Sequence, residues 1–69
     1  MEIHTPDEIG AAIRTRRREL GFRQDYLAAA AGVSLQFVSQ VERGKATAQI
    51  GKVLAVLQAV GIRVNLDVA

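Results

Sequence analysis

Residues 23–45 read Arg-Gln-Asp-Tyr-Leu-Ala-Ala-Ala-Ala-Gly-Val-Ser-Leu-Gln-Phe-Val-Ser-Gln-Val-Glu-Arg-Gly-Lys. The punctuation of this stretch decides how the rest of the chain is arranged. Residues 24–31 are good helix formers, and Gly32 can turn the chain left-handed at a helix C-terminus without the penalty of a Cβ. Val33 then supplies an apolar plug for the corner. Ser34 has the hydroxyl an N-cap needs for a second helix over Leu35–Glu42, which Gly44 closes. Two short helices meeting at a tight corner are expected, with the spacing of a helix-turn-helix.

The outer face of the second helix follows from about 100° of rotation per residue. Val38 and Val41 mark the buried side; opposite them fall Gln36 and Gln40, one turn apart, with Ser39 beside them and Arg43 one turn beyond. Glutamine carries a donor and an acceptor on one planar group, so it can pair bidentately with the edge of adenine in the major groove. Two glutamines on an exposed helix can equally be solvated helix formers. The framing stretch favours the reading face.

That stretch resembles the Cro/CI-type (XRE) helix-turn-helix family. Its pattern is matched by Gln24, Leu27-Ala28, Gly32, Val33, Ser34, Val38-Ser39, Val41-Glu42 and Gly44. Glu-Arg-Gly-Lys-x-Thr at residues 42–47, followed by an apolar helix and a terminal strand, is most similar to the HipB-like antitoxins; the broader resemblance covers residues 9–60. It implies DNA contacts from Arg23, Gln24, Ser34, Gln36, Phe37, Ser39, Gln40, Arg43 and Lys45. Of these, Gln36 and Gln40 would read bases, Phe37 would touch a thymine methyl or pack at the helix edge, and Gln24, Arg43 and Lys45 would grip the backbone. One departure is Arg23, where the family usually has Thr or Ser before the glutamine. That helix then lacks a side-chain cap, and Arg23 is free to reach a phosphate.

Sixty-nine residues allow one small domain, and a chain this short buries a modest fraction of its surface, so a partner subunit is expected. There is no cysteine, hence neither disulfide nor thiolate metal site. No signal peptide or membrane span is expected, and the reading is a cytoplasmic, nucleoid-associated protein. The net charge is only +2, yet Arg14, Arg16, Arg17, Arg18 and Arg23 crowd one short region, either as a solvated face or as a nucleic-acid patch. His4 is the only histidine, and with no cysteine in the chain a metal site there is not expected.

Thr5-Pro6-Asp7-Glu8 starts the first helix: Thr5 as cap, Pro6 at the first helical position, Glu8 three residues after the cap. Its inward stripe is Ile9, Ala12, Ile13 and Leu20, with Gly21 as the stop. Arg17 lies on the border of that stripe. The family resemblance implies that it pairs with Glu42, a structural ion pair that ties the first helix to the end of the reading helix. After Gly44, Thr47 is the expected cap of a helix over residues 49–60. Its apolar positions are Ile50, Val53, Leu54, Leu57 and Val60, with Val56 widening the stripe toward a subunit contact. Residues 62–68 change period: Ile62, Val64, Leu66 and Val68 alternate with polar residues, the mark of a half-buried strand. No second strand of comparable quality exists, so its economical partner is the same strand of a second subunit.

The expected architecture is all-α: a lambda-repressor-like helix-turn-helix bundle of four main helices over residues 5–60, with a dimerisation strand over residues 61–69. No enzymatic constellation, cofactor or metal is expected. The expected function is sequence-specific repression by a homodimer on a pseudo-palindromic double-stranded DNA operator. The HipB-like resemblance adds a HipA-like kinase toxin as protein partner, neutralised in complex, the pair repressing its own operon. A stand-alone or phage-type repressor, and a protein-interaction module without DNA binding, are the alternatives.

Overall fold

A computed structural model describes residues 2–69 and arranges them in four helices: α1 (Pro6–Glu19), α2 (Gln24–Ala31), α3 (Leu35–Glu42) and α4 (Ile50–Ala59). The fold is the expected all-α helix-turn-helix bundle: α2 and α3 form the corner, α1 packs on α3, and α4 packs on α2. No helix among the described residues is long and apolar enough to cross a membrane.

Local chemistry accounts for the helix starts. The Thr5 hydroxyl accepts the Glu8 N–H at 3.2 Å, while the Glu8 carboxylate accepts the His4 N–H at 2.7 Å, so α1 opens on a reciprocal box. Ser34 caps α3 by accepting the Phe37 N–H at 3.0 Å. Arg23 caps α2 with no side-chain hydrogen bond, as its chemistry requires. The expected cap at Thr47 is not used. Residues 46–47 form a turn, Ala48 packs against the core, and Gln49 occupies the cap position of α4 without a side-chain bond. Anchoring Ala48 sets where α4 can begin, and leaves Thr47 exposed.

The helix ends share one device. Gly32 adopts φ 72, and beyond it the Val33 N–H reaches back to the Ala28 carbonyl at 2.9 Å. The same long bond joins Phe22 to Arg17 after α1, Ile62 to Leu57 after α4, and Lys45 to Gln40 after α3. In three cases the donor is apolar and partly buried; in the fourth it is Lys45, exposed. Only α3 therefore ends by presenting a cation where the others tuck in a hydrophobic side chain.

The core holds Ile13 of α1, Leu27 and Ala28 of α2, Val38 and Val41 of α3, and Val53, Val56, Leu57 and Val60 of α4. Two expectations for α4 are corrected here. Val56 is fully buried at 0% exposure and belongs to this core rather than to a subunit contact, whereas Ile50 and Leu54 are exposed at 68% and 46%. The inward stripe centres on Val53 and Val60, one face-width round from the Ile50 and Leu54 edge. The C-terminal strand is also absent: residues 62–69 are irregular, and no strand occurs among the described residues. A strand is defined by its ladder, and one chain offers no second strand to bond. Ile62 still packs on the core, while Val64, Leu66 and Val68 are exposed.

Gly10 is buried where α1 crosses the end of α3. A Cβ there would lie 2.8 Å from the Glu42 carbonyl oxygen and closer still to that of Val41, both rigid backbone. Gly10→Ala is expected to cost about 1–3 kcal/mol through this overpacking. Gly51, in α4, has nothing within 4 Å of its would-be Cβ, so Gly51→Ala is expected to be neutral or to stabilise by up to about 1 kcal/mol through helix propensity. Urea unfolding of the two variants beside the parent checks both signs.

Candidate nucleic-acid interface

The face of α3 turned away from Val38 and Val41 carries amides and hydroxyls. Gln36 is exposed and Ser39 and Gln40 are half-buried, with Arg43 and Lys45 exposed just beyond the helix. Two hydrogen bonds organise them: Arg43 Nη1 donates to Ser39 Oγ at 2.8 Å, and Lys45 Nζ donates to Gln40 Oε1 at 3.2 Å. Gln40 thus has its carbonyl oxygen engaged and its NH2 group open, while Gln36 keeps both. Phe37 is partly buried. It packs against the core at the helix edge, with the Lys52 ammonium 5.8 Å from its ring centroid.

The orientation of that face is fixed by Glu42, the last residue of α3, whose side chain is 0% exposed. Its Oε2 accepts Arg17 Nε–H at 2.6 Å, and its Oε1 accepts Arg17 Nη2–H at 3.0 Å and Gln24 Nε2–H at 3.1 Å. Arg14 Nε stands 3.6 Å away. The remaining Arg17 Nη1–H donates to the Phe22 carbonyl at 2.9 Å, tying the α1–α2 loop into the same knot. The expected Arg17–Glu42 pair is therefore a bidentate fork joining α1 to α3, with α2 attached through Gln24. Burial pushes the Glu42 carboxyl up, but the hydrogen bonds of Arg17 and then Gln24, with the charges of Arg17 and Arg14, outweigh it and hold the carboxyl below its usual range. Donating to the Glu42 carboxylate holds the Arg17 guanidinium above its ordinary pKa.

The remaining expected contacts are spread around this knot. Gln24 is half-buried with its amide spent on Glu42, whereas Arg23 projects into solvent with its Nε 3.5 Å from Asp25 Oδ1. Ser34 uses its hydroxyl as a cap. Two structural roles escaped the sequence: the membership of Gln24 and Arg14 in the Glu42 site, and the bond from Arg16 Nε–H to the Val60 carbonyl at 3.0 Å, which caps α4 from α1. The first had a signal, because Gln24 and Arg17 are both polar residues facing a stripe that is otherwise apolar. The second depends on where α4 ends in space, which no local pattern records.

Comparison with known proteins gives a consistent picture. A helix-turn-helix family model, HTH_3, matches residues 13–66. The chain is 53% identical over 64 residues to the uncharacterized HTH-type transcriptional regulator y4mF of Sinorhizobium fredii, covering 93% of this chain and 84% of that protein. Among solved structures it is similar to a chain of a HipA-HipB-O2-O3 complex, with a TM-score of 0.89 at 21% identity, covering 97% of this chain and 94% of that one. A HipB-O4 20mer complex gives a TM-score of 0.89 at 22% identity, with 100% and 97% covered. The clp gene regulator ClgR from C. glutamicum gives a TM-score of 0.75 at 31% identity, with 90% and 80% covered. The HipB likeness is one of fold.

Removing the arginine of the knot leaves a buried carboxylate without its main partner. Arg17→Met is expected to cost about 3–5 kcal/mol at neutral pH. Because the Glu42 pKa is lower folded than unfolded, its stabilising contribution is complete above the ordinary carboxylate value of about 4.3. It is lost as pH falls through the lowered folded value. Denaturant unfolding of Glu42→Gln between neutrality and pH 3 should accordingly show a shallower loss of stability with acid than the parent shows; parallel curves would remove Glu42 from this role.

Proposed function

We propose that this chain, which belongs to the helix-turn-helix family HTH_3 and is a helix-turn-helix transcriptional regulator, represses transcription as a homodimer on a pseudo-palindromic DNA operator. The observation that carries the reading is the outward face of α3: exposed Gln36, with Gln40 one turn on, set at a fixed angle by the Glu42 knot and flanked by exposed Arg43 and Lys45. Amides at base edges and cations at phosphates are the division of labour that sequence-specific recognition requires. Occupancy of a promoter by two such helices would exclude polymerase.

The finer reading is an antitoxin. The fold matches HipB over the whole chain, in complexes that hold HipA or a 20mer, and Glu-Arg-Gly-Lys-x-Thr at residues 42–47 is the local likeness to that group. On this reading the partner is a HipA-like kinase toxin, neutralised in the complex, and the pair represses its own operon. Dimerisation uses residues 62–68, whose Ile62, Val64, Leu66 and Val68 pair with the same segment of a second copy. Co-expression with an adjacent kinase-like reading frame tests the antitoxin reading: a stable complex and relief of growth arrest support it, and toxicity unaffected by this chain removes it.

Base reading is tested by Gln36→Ala and Gln40→Ala, each expected to lose about 1–3 kcal/mol of discrimination between the preferred duplex and single-base variants. Lys45→Ala should instead weaken binding to all sequences alike and lower the salt slope by roughly one unit. Fluorescence anisotropy against a duplex selected in vitro measures both, and unchanged preference in the two glutamine variants would overturn the assignment. Deleting residues 63–69, which leaves Ile62 on the core, is expected to yield a monomer, or a much weaker dimer, that keeps much of its helix content but loses specific binding. Sedimentation equilibrium is the check, and a fully dimeric product would show that the helices carry the interface.

A further inference from the structure

The arginines crowded into residues 14–23 are put to separate uses. Arg16 turns to the end of α4, and Arg17 is taken up by Glu42. Arg14 and Arg18, one helical turn apart on α1, line an open groove of about 530 Å³, together with the Arg17–Glu42 pair, Arg23, Gln24 and Asp25 at the start of α2 and Leu35 at the start of α3. Arg18 is exposed, and its side chain has no hydrogen bond or ion pair among the described residues; its backbone carbonyl is engaged by the Gly21 N–H.

The groove is strongly electropositive for so nearly neutral a protein. Four arginines against the carboxylates of Asp25 and Glu42 leave its walls at +2, the net charge of the entire chain, so over the remaining surface the charges cancel. Each carboxylate is matched by an arginine of the same groove, Glu42 by Arg17 and Asp25 by Arg23, so the cations left over are Arg14 and Arg18. The Glu42 carboxylate is 0% exposed and saturated by Arg17 and Gln24, and that of Asp25 accepts the Tyr26 N–H at 2.8 Å with Arg23 at 3.5 Å. The two guanidinium groups left unmatched, those of Arg14 and Arg18, suit phosphate oxygens, which they can meet bidentately.

We infer that Arg14 and Arg18 form a phosphate-binding wall for the DNA backbone that flanks the bases read by α3. Continuity argues for this occupant: Leu35, the first residue of α3 and the neighbour of Gln36, lines the groove, and phosphates line both edges of the major groove that a reading helix enters. The inference rests on the DNA-binding reading above and extends its footprint from α2 and the end of α3 to α1. Arg14 and Arg18 set position and affinity; they carry no sequence preference.

Arg18→Ala is the clean variant, since it breaks no contact of the fold, and its thermal midpoint should match the parent's. Salt titrations by anisotropy, on an in-vitro-selected duplex and on its scrambled counterpart, should show affinity for both falling by the same factor. The slope of log K against log salt should drop by about 0.9 for the phosphate lost, and Arg18→Lys should restore most of it. A parental slope in Arg18→Ala, or a changed ranking of the two duplexes, overturns the phosphate wall. Gln36→Ala run beside it separates the two levels. If it loses preference while Arg18→Ala is silent, only the wall fails; if neither variant alters binding, the DNA-binding reading of α3 fails with it.

Discussion

A carboxylate that cannot reach water governs this fold. Glu42 closes α3 with both oxygens buried, at the helix end where the backbone dipole is already negative. Such a group is tolerable only if it is paired and hydrogen-bonded, and every partner it has comes from elsewhere: Arg17 and Arg14 from α1, Gln24 from α2. Satisfying one side chain therefore fixes three helices relative to one another. Gly10 is the steric counterpart, because α1 can reach the end of α3 only where it has no side chain to hold it off. The angle of the outward face of α3 is a by-product of that closure.

How much of this was legible in the sequence depends on the range of the interaction. Ser34, Thr5 and Gly32 act within a turn or two of themselves, and each is found where its chemistry put it. The Arg17–Glu42 pair spans 25 residues and was foreseen only through a family pattern. Helix periodicity placed Val53, Leu57 and Val60 inside, but it could not decide which flank of a wide apolar stripe would face the core. Val56 and Leu54 sit on opposite flanks, and the choice between them was made by where α2 lies. A strand is less local still, since alternation at residues 62–68 specifies a face and not a ladder.

The basic run illustrates the same limit at the level of function. Read as letters, Arg14 to Arg18 is a patch; turned through a helix, neighbours one residue apart point about 100° from each other. Arg16 goes to the Val60 carbonyl, Arg17 to Glu42, and Arg14 and Arg18 to the groove. Charge counting gives the sum, and only the rotation of α1 against its neighbours tells which cations are used up inside the molecule.

What remains outside the core bears on why one copy would not suffice. If α3 reads bases as proposed, an eight-residue helix with two amides can inspect only a few base pairs, and the several kilocalories that separate specific from random sites call for more contacts than that. Doubling the helix across a two-fold axis, with centres about 34 Å apart, supplies them without any new chemistry. The chain carries the apolar surface such an arrangement requires: Ile50 and Leu54 along one edge of α4, then Val64, Leu66 and Val68, all exposed. Ile62 packs on the core at the head of that alternating segment, so its start is held at the base of α4. Under the proposed dimer, a segment with an apolar face and unpaired backbone groups would find in a second copy of itself a partner that answers both needs at once.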